Sequence, residues 1–196
     1  MSDSLDFIFR LVIFCIIHSL LATPRIKARI QHSWGRPLRG YRLAYNLFSV
    51  LLFGWVMLAW QSTTVMFVAP GIWSLILHGL QFIIAWAGFI CLRQTGMAGF
   101  LGFDGSSTDE RPNLVTTGCY AVVRHPLYLL SILFMLLNPV ITTRWIALTL
   151  CSFIYFLFGA LLEEHRMIRH FGNTYRQYQK DVPFLLPRLN RQISAG

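Results

Sequence analysis

Five separate apolar runs constrain this chain more than any other feature. They cover about residues 5–22, 43–60, 72–92, 126–141 and 144–162. A bilayer's hydrocarbon core is about 30 Å thick, so an apolar run of nearly 20 residues is a helix that can cross it. Composition agrees: 55% of the 196 residues are hydrophobic and 13% charged, about half the charged share of an ordinary soluble domain. A disordered chain, a coiled coil and a disulfide-built secreted domain are excluded. The expected fold is all-α and polytopic, with about five transmembrane helices in a single integral membrane domain, 1–196. Three spans fill 1–92; a loop, a tight C-terminal helical hairpin and an amphipathic cytoplasmic tail helix fill 93–196.

The net charge of +9 is unevenly placed. Arg25, Lys27, Arg29, Arg36, Arg39 and Arg42 lie between the first two runs with no acid among them. Arg166, Arg169, Arg176, Lys180, Arg188 and Arg191 follow the last run. Basic loops beside apolar spans mark cytoplasmic segments facing anionic membrane lipid. No nucleic-acid module accompanies the charge, so nucleic acid is not an expected partner. With the first basic loop inside, only Arg10 and Arg144 of the 17 Lys and Arg fall at the other face. The expected location is a bacterial inner membrane, with the N-terminus outside and the C-terminus cytoplasmic. Asp3 and Asp6 stand where a signal peptide carries Lys or Arg, so the first run reads as a retained span. Cys15, Cys91 and Cys151 lie in apolar runs and Cys119 in a polar connection. With no CxxC pair, neither a structural disulfide nor a zinc site is indicated. His18 and His78, inside spans, are expected to make interhelical hydrogen bonds.

Only Thr142 and Thr143 separate the last two runs, which therefore form an antiparallel hairpin. From that tip His125 is about 27 Å back and Glu163 about 30 Å on, at ~1.5 Å per residue. Both emerge at one depth, which gathers Arg124, His125, Glu163, Glu164 and His165. A single charge at a span end is a snorkelling anchor; two adjacent carboxylates opposite an Arg-His pair point to a site. Pro126 suits a first helical position, and the free amides of that turn attract an anion. Upstream, Gly96, Gly99, Gly102 and Gly105, with Asp104, Asp109 and Glu110, allow close approach to a ligand. No strand precedes them, so this is no Rossmann fingerprint. Beyond Glu164, Met167, Ile168, Phe171, Tyr175 and Tyr178 recur at spacings of three and four, the pattern of an amphipathic helix on the membrane surface or over the site.

The run Leu114-Val115-Thr116-Thr117-Gly118-Cys119-Tyr120, followed by Arg124-His125-Pro126-Leu127-Tyr128, resembles the core of the membrane methyltransferase superfamily. That superfamily includes isoprenylcysteine carboxyl methyltransferase, phospholipid N-methyltransferases and methanethiol S-methyltransferase. Glu163-Glu164, Phe171-Gly172, Tyr175, Tyr178 and Val182-Pro183 match its second half, so the resemblance covers about 114–187. His18-Ser19-Leu20-Leu21-Ala22 and Tyr41-Arg42-Leu43-Ala44-Tyr45-Asn46 look most like the methanethiol methyltransferase branch and its denitrification-linked relatives.

The resemblance implies S-adenosylmethionine as methyl donor, held by Leu114, Gly118, Tyr120, His125, Pro126, Tyr128, Glu163 and Tyr175. It implies Arg124 and Glu164 as catalytic residues; His165 and His170, five apart, fall off one helix face, so no metal is expected. Arg124 would steady a thiolate or orient a carboxylate, and Glu164 or His125 would accept a proton. The donor's ammonium or ribose would meet Glu163 or Glu164, and its sulfonium the aromatic faces. The acceptor is small or lipophilic: a thiol first, a prenylcysteine carboxylate or a lipid amine next. A non-catalytic, denitrification-linked membrane protein is the reading from another class. The topology is testable at once: a C-terminal reporter is expected in the cytoplasm and an N-terminal one outside. Both reporters on one side would exclude an odd number of crossings.

Overall fold

The computed structural model describes residues 2–34, 40–61, 63–97, 101 and 114–188. Of the glycine-rich run only Gly96 is among them; Gly99, Gly102, Gly105, Asp104, Asp109 and Glu110 lie outside the described residues. The described helices are α1 (Ser2–Ala22), α2 (Pro24–Trp34), α3 (Tyr41–Met57), α4 (Ile72–Gln94), α5 (Pro126–Leu136), α6 (Thr143–Phe171) and α7 (Asn173–Asp181). Short 3-10 turns cover Leu58–Gln61 and Gly118–Ala121. Three described helices contain stretches long and apolar enough to cross a membrane: Ser4–Ala22, Ile72–Gln94 and Thr143–Phe171.

Two corrections to the expected helix pattern have a local cause. The fourth run does not stay helical to residue 141; α5 stops at Leu136. Pro139 lacks an N–H and disfavours helix in the residue before it, so the chain leaves the helix just ahead of it. The fold is also not purely α. Val140–Thr142 forms a strand, β2, pairing antiparallel with β1 (Val65–Val68), in the register Val65↔Thr142, Phe67↔Ile141, Val68↔Val140. Valine, isoleucine and threonine crowd a helix turn but fit a pleated strand.

The chain divides into two compact units. The first comprises Met1–Pro70, Gly96–Pro112 and Pro139–Cys151. In it α1 packs on α3. His18 joins the two helices as expected, with Nδ1 3.0 Å from the Ser49 hydroxyl and Nε2 2.8 Å from the Tyr45 hydroxyl. Arg10 pairs with Asp6 at 2.9 Å and lies over the Trp55 ring. Arg144 is buried, its guanidinium 5.9 Å from the Phe7 ring centre.

The second unit comprises Gly71–Thr95, Asn113–Asn138 and Ser152–Gly196. Here α4 packs on α5, and the buried Gln81 side chain donates to the Phe134 carbonyl at 3.0 Å. His78 does not bridge helices; its Nδ1 lies 2.8 Å from the Ser74 carbonyl of its own helix. The tail is two helices rather than one. α6 ends at Phe171, and Gly172, at φ 56, turns the chain into α7. Tyr175, Tyr178 and Val182 then pack against Leu114, Met167, Ile168 and Phe171, so the apolar periodicity is fulfilled across the bend.

Cysteine spacing misled most. Cys91, near the end of α4, is bonded to Cys119 in the 118–121 turn, 28 residues apart in sequence. The partners meet only because that turn folds back onto α4, which no local pattern records. The Gln94 side chain also accepts from the Cys119 N–H at 3.1 Å. Gly118, at φ 59, brings its backbone so close to Gln94 that a methyl there would collide with the amide. Gly118→Ala is therefore expected to cost about 1–2 kcal/mol from the left-handed backbone alone, seen as a lower Tm in detergent. An unchanged Tm would mean this turn is not held as described.

Candidate active site

The site lies within the second unit, where four stretches converge: the 118–125 approach, the start of α5, the end of α6, and α7 with the residues after it. Pro126 is the buried first residue of α5, and His125 is its N-cap position. Proline suits this place because the missing N–H would have no intrahelical partner. The Arg124 backbone N–H donates to the Pro183 carbonyl at 2.9 Å, which ties the tail to the helix start.

At the centre is Glu164, with 8% of its side chain exposed. Its Oε1 accepts from Arg124 Nε at 2.9 Å and from the Tyr175 hydroxyl at 2.8 Å, and lies 2.9 Å from His125 Nε2. Its Oε2 accepts from Arg124 Nη2 at 3.1 Å and from the Gln179 amide. Arg124 meets the carboxylate with two parallel bonds, the strong fork-to-fork geometry. Its Nη1 also donates to the carbonyls of Gln179 at 2.9 Å and Val182 at 2.6 Å. Four of its five N–H groups are thus engaged, and the side chain is 10% exposed. The guanidinium sits 5.6 Å from the Phe184 ring centre.

Glu163, the other carboxylate, is 33% exposed. Its Oε2 accepts from the Tyr128 hydroxyl at 3.3 Å and stands 3.8 Å from His125 Nδ1, beyond hydrogen-bond reach. Rings surround this carboxylate and the histidine. His125 stacks on Tyr128 at 5.7 Å and meets Phe184 edge-on at 5.0 Å. Tyr128 in turn stacks on Phe156 at 5.4 Å. Beside them runs a narrow apolar crevice lined by Tyr128, Ile132, Phe153, Phe156, Phe184 and Leu185, among others.

The tail tyrosines are proton donors. Burial raises the Tyr175 hydroxyl well above its ordinary range, and its bond to Glu164 favours the protonated phenol further. Burial pushes Tyr178 up to about 12, with the Arg124 charge opposing it. Tyr178 donates to the Tyr120 carbonyl at 2.5 Å. Burial and the nearby Glu163 charge raise Tyr120 as well, partly offset by its bond to Thr95.

The expected residues therefore come together, in unequal roles. Arg124, His125, Tyr128, Glu163, Glu164 and Tyr175 share one contact network. Leu114 packs under α7, and Gly118 and Tyr120 hold the approach. His165 does not join them: it is exposed and bonds the Leu161 carbonyl of its own helix turn. On a helix the next residue points about 100° away, so Glu163, Glu164 and His165 cannot share one direction. Gln179 and Phe184 were missed. Gln179 follows Tyr175 by four, on the same face of α7, and that spacing was the available signal.

Glu164 and Glu163 should separate cleanly on substitution. Glu164→Ala leaves Arg124 buried without its counter-charge, and a loss of about 3–5 kcal/mol is expected. Glu163→Gln, at a partly exposed position, is expected to change stability by less than about 1 kcal/mol. Thermal unfolding in detergent reads both; equal losses would contradict the division of roles.

Comparison with known proteins finds methyltransferases. The family model described as phospholipid methyltransferase matches residues 69–174. Methanethiol S-methyltransferase 2 of Bradyrhizobium diazoefficiens is 32% identical over 189 residues, 90% of this chain and 70% of the relative. Methanethiol S-methyltransferase of Pseudomonas deceptionensis is 30% identical, over 92% of this chain and 71% of its own length. Protein-S-isoprenylcysteine O-methyltransferase of Schizosaccharomyces pombe is 31% identical over 111 residues, 51% of this chain and 47% of the relative. No solved structure shows a significant match. With more than half its length matched and its Arg124-His125-Pro126 corner closed on Glu163-Glu164, the chain belongs to the phospholipid methyltransferase family of membrane enzymes.

Proposed function

We propose that this protein transfers a methyl group from S-adenosylmethionine to a small thiol at the membrane. The observation that carries the acceptor is the similarity to methanethiol S-methyltransferases over 90% and 92% of the chain. The side chains fit the donor's chemistry. Its cationic groups call for an open carboxylate and ring faces, and Glu163, a third exposed, is the more open of the two acids, beside Tyr128 and His125. When bound, S-adenosylmethionine supplies the methyl on a sulfonium, ready for in-line displacement without a covalent enzyme intermediate.

The protein's part is to place the acceptor, exclude water and accept the thiol proton, since the thiolate is the reactive form. Glu164 is filled by five donors and is poorly placed to be the base. Its bond from His125 Nε2–H fixes the tautomer that leaves the Nδ1 lone pair open. His125 Nδ1, on the Glu163 side, is the base in this reading. Arg124 and Glu164 then act as the frame, keeping α7 closed over the corner.

The same reading sets the membrane frame. The chain crosses five times, with α5 and the extended residues after it forming the fourth passage, and the corner faces the cytosol where the donor is made. It is a bacterial inner-membrane protein with its N-terminus outside.

The test is a methyl-transfer assay on purified protein with S-adenosylmethionine and, in parallel, methanethiol, a prenylated cysteine and a lipid amine. Dimethyl sulfide is the expected product. Glu163→Gln is expected to weaken donor binding about 10- to 100-fold, the worth of one charge-assisted contact, while the protein stays folded. Transfer to the lipid amine or prenylcysteine without transfer to the thiol overturns the acceptor; unchanged donor affinity overturns the place of Glu163.

A further inference from the structure

The Cys91–Cys119 bond is not used by the proposed transfer, yet it sits on the path into the corner. Cys91 is 2% exposed on α4, whereas Cys119 is half-buried in the 118–121 turn. The next residue, Tyr120, offers the carbonyl that accepts from Tyr178 of α7. A few residues further on, Arg124 is held by Glu164 and by the Pro183 carbonyl. The disulfide thus fixes to α4 the strand of chain that delivers Arg124. Where thiols are kept reduced, disulfides that persist are mostly those that open and close in use. The two sulfurs also differ in reach: attack by a dissolved thiol is limited by access, and the Cys119 side is the less covered one.

We propose that Cys91–Cys119 is a thiol-exchange site for small aliphatic thiols, the acceptor class of the preceding reading, on which the choice of thiol rests. The incoming thiolate attacks Sγ of Cys119. The S–S bond breaks, a mixed disulfide forms on Cys119, and Cys91 leaves as a thiolate that takes up the proton shed by the attacking thiol. A second thiol attacks the mixed disulfide, frees Cys119 as a thiol and departs as the symmetric disulfide. Two small thiols are oxidised to one disulfide while the protein's disulfide is reduced to two thiols, so no further co-reactant is needed. A methylated product has no S–H and cannot take part, so the site responds to acceptor and not to product. Once opened, the turn is held to α4 by the Gln94 contact and to α7 by the Tyr178 bond, and the approach to Arg124 loosens.

The test uses folded full-length protein in detergent, treated with sodium methanethiolate or, as control, dimethyl sulfide. It is then alkylated without unfolding and analysed as peptides by mass spectrometry. Expected with the thiol is a methylthio adduct on Cys119, or alkylation of both Cys91 and Cys119, and neither with dimethyl sulfide. Amide exchange across 118–124 is expected to quicken several-fold in the opened protein, and to be equally fast beforehand in Cys91→Ser with Cys119→Ser. The proposal is overturned if the bond stays closed in folded protein under thiol that opens it after denaturation. It is also overturned if both cysteines are already free as isolated, or if opening leaves exchange across 118–124 unchanged. These readouts need neither donor nor turnover, so a failure of thiol methylation leaves them intact and is told apart from a failure here.

Discussion

The Glu164 carboxylate is the point on which the second unit closes. Its five donors come from Arg124 and His125 before α5 and from Tyr175 and Gln179 on α7. No local sequence contact joins these stretches; a shared buried anion does, beside the Arg124–Pro183 and Tyr178–Tyr120 backbone contacts. Burying a charge is expensive unless every lone pair is met, and here the requirement is met by an arginine fork, a histidine, a phenol and an amide. Arg124 extends the effect by gripping the carbonyls of Gln179 and Val182. The tail is thereby fastened through side chain and backbone at once.

That closure makes two adjacent glutamates unequal. Consecutive residues on a helix diverge by about 100°, so when Glu164 turns into the network, Glu163 must turn away from it. Glu163 keeps one long bond to Tyr128 and a third of its side-chain surface exposed. The saturated acid builds the corner and the open one gives it a negative face. A sequence pair that looks like duplication is a division of labour imposed by helix pitch.

The corner was legible in the sequence because its parts sit at chain positions that helix rise can relate. Pro126 marks a helix start, and counting back and forward from Thr143 put His125 and Glu163 at one level. The count reached the right meeting by an imperfect route, since α5 ends at Leu136 and a turn leads from it into the strand Val140–Thr142. Pro139 was the available warning. What stayed hidden was non-local. The Cys91–Cys119 bond and the β1–β2 pairing join stretches with no shared periodicity, and Gln179 belongs to the site only because Gly172 bends the tail. Apolar spacing predicted which tail residues pack together, but it could not show where the helix breaks.

The early end of α5 raises a harder physical question, because a helix end leaves carbonyls without intrahelical partners. The chain answers it twice. Gln81, a buried amide on α4, reaches the Phe134 carbonyl in the last turn of α5. Beyond the helix, the Pro139 carbonyl accepts from the Ala69 N–H at 2.8 Å and Val140–Thr142 pairs with Val65–Val68. The Gln81 amide and the two-stranded ribbon, each odd in an apolar sequence, thus take up backbone groups that the early end of α5 leaves open. Losing Pro139 alone would not lengthen α5 at no cost, since the Gln81 amide and the Ala69 N–H would then lose the carbonyls they now bond.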